Sequence, residues 1–333
     1  MSKVYIIAEA GINHNGNLGL AKKLVDEAAK FGADAIKFQT WKTELMVTRS
    51  AERADYQIQN SKFIESQYDM LKKLELNYDD FKKIASHCAS KKIIFLSTPD
   101  ELESAKFLRN LQSIFKIGSG NVTNYPLLKF IGTFNKQVFL STGMSTIKEI
   151  SEAINVLQTN GTNRSKITLL HCTTEYPLPF NDVNLSAMIS LGKKFDLPIG
   201  YSDHTTGIEV AIAAVALGAR VIEKHFTLDR KLVGPDHKAS LEPFEMKKMI
   251  DSIRNIEAAL GDGKKRVMDG EVSNKRIARK SIVAARNIKV GEIFSEDNIT
   301  IKRPEGGISP MNWINCIGAI AKQNFKKDDF IKL

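Results

Sequence analysis

The chain has 333 residues, 43% of them apolar and 26% charged, with a formal net charge of +10. That composition is of a soluble globular protein, and the length suffices for one large α/β domain with a small appendage or for two ordinary domains. No apolar run reaches the roughly 18 to 20 residues that cross a bilayer, and the opening MSKVYIIAEAG lacks the core and cleavage site of a signal peptide, so the expected location is the cytoplasm, away from membranes.

From the first residues a unit repeats, in which a β-rich apolar run and a small or polar cluster lead into an amphipathic helical pattern. The runs in chain order are VYIIAEAG, AIKFQT, IIFLSTP, IFKIGSG, VFLSTGM, ITLLHCTTEY, PIGYSDH and VIEKHFT. Segments such as LGLAKKLVDEAAKFG, YDDFKKIASHCASK and TIKEISEAINVLQTNG lie between them with apolar residues at helical spacing. Eight alternations predict a closed (β/α)8 TIM barrel over residues 1–262, with an open doubly wound sheet as the structural alternative. After AALGDG the rhythm stops. A Lys/Arg-rich linker is expected over 263–280. A small, loop-rich domain is expected over 281–333, where KVGE, SEDN and PEGG read as turns.

Cys88, Cys172 and Cys316 are far apart and show no paired-ligand spacing, which argues against a disulfide framework or a thiolate zinc site and for buried thiols. Apart from GDGKKRVMDGEVSNKRIARKS, the basic residues are spread along the chain, with no nucleic-acid motif. The positive charge therefore points to small anionic, phosphate-bearing substrates.

In a (β/α)8 barrel, chemistry sits where strands end and loops begin. Those ends carry Glu9, Lys37 with Gln39, Thr98, Lys116 with Ser119, Ser141, Thr174 with Tyr176, Asp203 with His204, and Glu223 with His225. Any one Ser or Thr there is ordinarily a cap or a turn residue; eight polar ends in succession describe a site. His204 and His225 stand one strand step apart, with GIEVAIAAVALGA as the crossover helix, so both imidazoles can enter one pocket. Such a pair suits a divalent metal with open positions, although a lone strand-end histidine is more often a hydrogen-bonding residue. Lys37, Lys116 and the IGSG, LSTP and LSTG turns offer the charge, hydroxyls and N–H groups that surround phosphate or carboxylate. Glu9 is a candidate base or holder of a water, His14 a loop residue, His87 and His171 structural, and His237 open.

At AEAGINHNG, IKFQT, FLSTP, FKIGSG, STGM, TTEYP, SDHT, EKHFTLD, GPDHKAS and KRPEGGISP the chain resembles the sialic acid synthase family, nearly end to end, with a last domain similar to its antifreeze-like (SAF) module. The resemblance implies condensation of phosphoenolpyruvate with an N-acetylated mannosamine-type sugar. It implies His204 and His225 as ligands of a divalent metal, Mn2+ first and Mg2+ or Co2+ as substitutes. Lys116, Thr98, Ser119, Ser141 and Ser202 would surround the phosphate, with Lys37 near the carboxylate. Gln39, Tyr176 and Asp236 would face the sugar, and Glu9 would orient a reacting oxygen. Arg303 would reach an acetamido carbonyl in the site of a partner chain, which implies a domain-swapped homodimer. Asn121, where the family commonly carries a carboxylate, and Thr174, where some members carry asparagine, depart from the pattern. An amide can donate to an acetamido oxygen, so Asn121 favours a 2,4-diacetamido sugar and a legionaminic product over N-acetylmannosamine and N-acetylneuraminate. A Schiff-base aldolase acting through Lys116 and a non-enzymatic carbohydrate- or ice-binding protein are the rival readings.

Overall fold

The computed structural model describes residues 3–54, 57 and 66–333. They form two compact units, one up to Asp262 and one from Gly263 on. In the first, each of the eight apolar runs becomes a strand: β1 (Tyr5–Gly11), β2 (Ala35–Thr40), β3 (Ile94–Pro99), β4 (Ile114–Ile117), β5 (Gln137–Ser141), β6 (Ile167–His171), β7 (Ile199–Asp203) and β8 (Val221–His225). Their order is β3-β2-β1-β8-β7-β6-β5-β4, with parallel ladders throughout. β3 and β4, the ends of that order, pack side by side. Gln112 works like a ladder rung there: the Ser97 amide donates to its Oε1 (2.7 Å) and its Nε2 donates to the Ser97 carbonyl (2.9 Å). The sheet is thus a closed barrel, not an open doubly wound sheet.

The helices follow from spacing and caps. Leu18–Lys30 buries Ala21, Leu24, Val25 and Ala28, one helical stripe, and begins where the Asn17 side chain accepts from the Leu20 amide. Ile147–Thr159 opens on a capping box between Thr146 and Glu149.

The period of two along each strand decides what enters the barrel. Ile7, Ala35, Leu96, Phe139, Leu170 and Val221 form an apolar cluster inside it, with Tyr5 and Ile114 packed against them. Two residues further along the same faces come Glu9, Lys37, Thr98, Ser141, Cys172, Glu223 and Lys116. The interior is therefore an apolar plug capped by a polar layer. On β7 the corresponding inward position is Gly200, where a Cβ would collide with Leu170 Cδ2 and the Val221 carbonyl.

In the second unit, β9 (Ser281–Ala284) and β10 (Ile299–Lys302) pair antiparallel over a core that includes Ile282, Ile288, Phe294, Phe325 and Ile331. The stretch expected as a linker, 263–280, carries a helix, Val272–Ala278. Ion pairs of Lys275 (3.6 Å) and Arg279 (3.7 Å) with Glu305, and the Glu305 amide donating to the Arg276 carbonyl (3.0 Å), tie that helix to the rest of its unit. All three cysteines are buried free thiols. Among the described residues no helix is long and apolar enough to cross a membrane.

Candidate active site

The C-terminal strand ends enclose a cavity of about 160 Å³, lined by Glu9, Lys37, Gln39, Thr98, Lys116, Ser119, Ser141, Thr174, Tyr176, Ser202, His204 and His225. The same cavity is lined by Asp100, Cys172, Gly118, Gly120 and Glu223.

At its floor, acids and bases alternate. Lys37 Nζ lies 2.9 Å from Glu9 Oε2 and 3.9 Å from Glu223 Oε2, and donates to Thr98 Oγ1 at 3.1 Å. Lys116 Nζ lies 3.3 Å from Glu223 Oε1, which also accepts from Ser202 Oγ at 3.0 Å. Gln39 Nε2 donates to Glu9 Oε1 at 3.2 Å. Glu223, from β8, thus joins lysines that arrive on β2 and β4. Burial acts to raise the Glu223 carboxyl, but Lys116 and then Lys37 overcome it and hold it below the usual carboxylate range. Glu9 goes the other way: burial pushes it up to about 7, against the pull of Lys37 and with help from the Glu223 charge. Burial also works against the Lys37 ammonium, yet Glu223 and Glu9 outweigh it and raise its pKa.

The two imidazoles meet above this floor, ring centroids 5.4 Å apart, with the Tyr176 ring 4.2 Å from His204 and 5.3 Å from His225. His204 Nδ1 donates to the Thr173 carbonyl at 2.6 Å, which fixes the tautomer and leaves the Nε2 lone pair available, 3.5 Å from Ser202 Oγ. Burial lowers His204 to about 4, against that hydrogen bond, and holds His225 well below its ordinary value, with His204 adding to the effect. Both rings are therefore neutral at physiological pH, the form that ligates metals. His225 Nδ1 is buried without a hydrogen-bond partner among the described residues, 3.7 Å from Asp236 Oδ2, and Ser141 Oγ is likewise unpartnered. Burial raises Asp236 to about 7, opposed by Lys37.

These groups fit a divalent ion held by two protein nitrogens. Among the described residues no group of three or more His, Cys, Asp and Glu side chains forms a ligand set, so water or substrate oxygens would complete the coordination. On the opposite face of the same strand tips, Lys224 Nζ pairs with Asp203 Oδ2 at 2.8 Å and donates to the Thr205 carbonyl at 2.6 Å, both charged side chains fully buried. Asp203 Oδ1 also accepts from Thr205 N and Oγ1.

Three of the expected site residues, Asn121, Asp236 and Arg303, lie outside the cavity lining, Asp236 standing beside His225. Asn121 sits at the rim, its Nδ2 donating to Asp100 Oδ1 (3.2 Å) and its Oδ1 accepting from Asn124 Nδ2 (2.9 Å). Arg303 is an exposed residue of the second unit, just past β10. The remaining histidines hold structure. His87 Nε2 meets Asp26 at 2.9 Å and His171 Nε2 meets the Val183 carbonyl at 2.9 Å. His14 Nδ1 accepts from the Gly16 amide. His237, open on sequence grounds, bridges Thr227 Oγ1 (2.7 Å) and Asn15 Oδ1 (3.2 Å), bracing the loop that carries Asp236. Sequence reasoning missed Asp100, Cys172 and the bridging role of Glu223. Their signals were position directly after STP for Asp100, and inward parity with Leu170 and Val221 for the other two.

Residues 24–265 match the NeuB family and residues 279–333 match the SAF domain. The chain is 54% identical to the N,N'-diacetyllegionaminic acid synthase of Campylobacter jejuni over the whole of both chains. It is 43% identical to the protein of the same name from Legionella pneumophila, covering 96% of this chain and 91% of the relative. Its fold matches the crystal structure of an N-acetylneuraminic acid (sialic acid) synthetase from Leptospira borgpetersenii in complex with citrate. There the TM-score is 0.72 and the identity 35%, over 82% of this chain and 90% of that one. The strand-tip cavity and its polar floor are thus those of a chain that belongs to the NeuB family.

Proposed function

We propose that the protein is a nonulosonic acid synthase that condenses phosphoenolpyruvate with 2,4-diacetamido-2,4,6-trideoxymannose, releasing phosphate and forming N,N'-diacetyllegionaminate. The observation that carries the reading is one small cavity holding two lysines for an anion beside two neutral imidazoles. The names of the Campylobacter and Legionella relatives support the choice of acid.

Lys116, with Ser119, Ser141, Ser202 and Thr98, binds the phosphate of phosphoenolpyruvate, and Lys37 binds its carboxylate. His204 and His225 would hold the divalent ion, manganese first and magnesium or cobalt as alternatives, and when bound it supplies Lewis-acid polarisation of the sugar aldehyde. Gln39, Tyr176 and Asp236 orient the open-chain sugar so that the methylene carbon of phosphoenolpyruvate meets the aldehyde carbon. As that carbon–carbon bond forms, the aldehyde oxygen takes the carbonyl electron pair and water adds at C2. Glu9 takes a proton from that water and passes it to the former aldehyde oxygen, which becomes a hydroxyl, a role suited to a carboxyl with pKa about 7. The C2–O bond to phosphate then breaks, its electron pair leaves with phosphate beside Lys116, the C2 hydroxyl gives its proton to the departing phosphate, and the 2-keto acid remains. Lys116 is ion-paired with Glu223, which suits phosphate binding better than the free amine a Schiff base requires. On the same reading Arg303 serves the acetamido group in a partner's site within a domain-swapped homodimer, and the enzyme works in the cytoplasm.

The test is a phosphate-release assay with phosphoenolpyruvate and a panel of aldoses, after chelation and again with Mn2+ restored. Release with the diacetamido sugar that disappears on chelation and returns with Mn2+ is the expected result. A strong preference for N-acetylmannosamine would overturn the choice of sugar, and no release with any aldose would overturn the synthase reading.

A further inference from the structure

A second and larger cavity, about 640 Å³, opens beside the first. The two share Asp100 and Gly120 as lining residues. Its walls are mixed: Leu45, Met46, Leu102 and Pro126 are apolar, Glu101, Glu103 and Asn124 add polar edges, and Asp100 and Asn121 are the polar groups nearest the first cavity. Asn121 is held from both sides, donating to Asp100 Oδ1 at 3.2 Å and accepting from Asn124 Nδ2 at 2.9 Å. Asp100 Oδ2 carries no hydrogen bond among the described residues. A Cβ added at Gly120 would meet no atom within 4 Å, so this part of the lining is open space kept clear by the lack of a side chain.

We propose that this second cavity is the subsite for the acetamido group at C4 of the sugar, with Asp100 as the residue that selects it. The inference rests on the synthase reading and adds to it a place and a determinant. A secondary amide offers an N–H for the carboxyl oxygen of Asp100, a carbonyl for the remaining N–H of the Asn121 amide, and a methyl for the apolar wall. A hydroxyl at C4 could satisfy Asp100 but offers no carbonyl to the remaining N–H of the Asn121 amide, which Asp100 holds in place through its Oδ1, and it leaves the apolar wall without a partner. Discrimination therefore comes from Asp100 and the volume behind it acting together, the arrangement by which sites distinguish substrates that differ in one group. Gly120 leaves room for the amide to pass between the two cavities.

The test compares two acceptors that differ only at C4: 2,4-diacetamido-2,4,6-trideoxymannose and 2-acetamido-2,6-dideoxymannose. Phosphate release is followed with the full-length protein, manganese and phosphoenolpyruvate, for the wild type, Asp100→Ala and Gly120→Leu. Loss of a hydrogen bond to a charged group corresponds to about a 10- to 100-fold change. We expect the ratio of kcat/KM for the diacetamido over the monoacetamido sugar to fall by about that factor in Asp100→Ala, through KM, and by at least as much in Gly120→Leu, which fills the passage. Two variants that act by different means, read as a ratio between two sugars, separate selection from a general loss of folding. A wild-type ratio in both variants overturns the subsite and leaves the synthase reading standing. Failure of the wild type to release phosphate with either sugar overturns both.

Discussion

The barrel mouth and the C-terminal unit bury opposite kinds of side chain. The mouth hides two carboxylates, two lysines and two imidazoles, each at most 5% exposed. Beyond Gly263, the buried side chains among the described residues are apolar except for Ser281 and Asn298, while pairs such as Arg286–Glu292 and Lys302–Asp328 stay at the surface. Burying a charge costs several kcal/mol, roughly, before any partner repays it, whereas burying a methylene gains about 0.8 kcal/mol. The second unit is therefore built for its own folding, and the mouth spends stability on groups that wait for a ligand.

The contrast can be broken most severely at the histidines. His204→Ala removes the free Nε2 and should reduce phosphate release by at least about 1000-fold while leaving the far-UV circular dichroism spectrum intact; activity within tenfold of wild type would remove His204 from the chemistry. Lys116→Met keeps length but deletes charge, leaving Glu223 to face the phosphate. We expect kcat/KM for phosphoenolpyruvate to drop by about 100-fold or more, and a change below threefold would mean that the anion binds elsewhere. In the apolar unit the matching lesion is one of packing. Phe294→Ala should cost about 3–5 kcal/mol there, seen as faster hydrogen exchange at the Ile282 and Ile288 amides, which donate to the Ile308 and Phe325 carbonyls. Unchanged protection would show that the unit's stability comes from outside its core.

The smallest effect sharpens the contrast through pH. His14, His204 and His237 are lowered by burial to about 4, and His171 and His225 are lowered too. A depressed histidine contributes stability that is complete above its unfolded value, near 6.5, and is lost as pH falls toward 4. Glu9, Asp100 and Asp236, raised by burial to about 7, act in the reverse sense, contributing fully below pH of about 4 and losing that contribution as pH climbs through 7. The barrel should be most stable between about pH 6 and 7 and lose a few degrees on either side. The C-terminal unit has no histidine, and should stay flat from about pH 5 to 8. Hydrogen exchange at pH 5, 6.5 and 8, with opening energies compared unit by unit, measures both, and equal slopes in the two units would erase the distinction.

Much of the barrel was legible because its strands are buried on both faces and read as short apolar runs, and because parity along a strand says which polar residue points inward. Twelve of the residues expected at the site line one cavity for that reason. What stayed hidden depends on closure in three dimensions. Glu223 was visible as a strand-end residue, but its bridge between Lys37 and Lys116 exists only once β2, β4 and β8 surround a common space. Asp100 follows the last residue of β3, where alternation no longer gives a direction. The charged stretch 263–280 looked like a tether because its helix is held by Glu305, a partner that composition alone does not identify.

The fully buried pair of Asp203 and Lys224 has a consequence for descent. Each is the immediate chain neighbour of one of the two imidazoles and points to the other side of the wall. Losing one member alone would strand its counterpart in a dry interior and loosen the adjoining ring, whereas exchanging both at once for apolar residues of similar volume could be tolerated. Lineages carrying this fold are thus expected to inherit Asp-His and Lys-His as a linked pair of dipeptides, changing together or not at all.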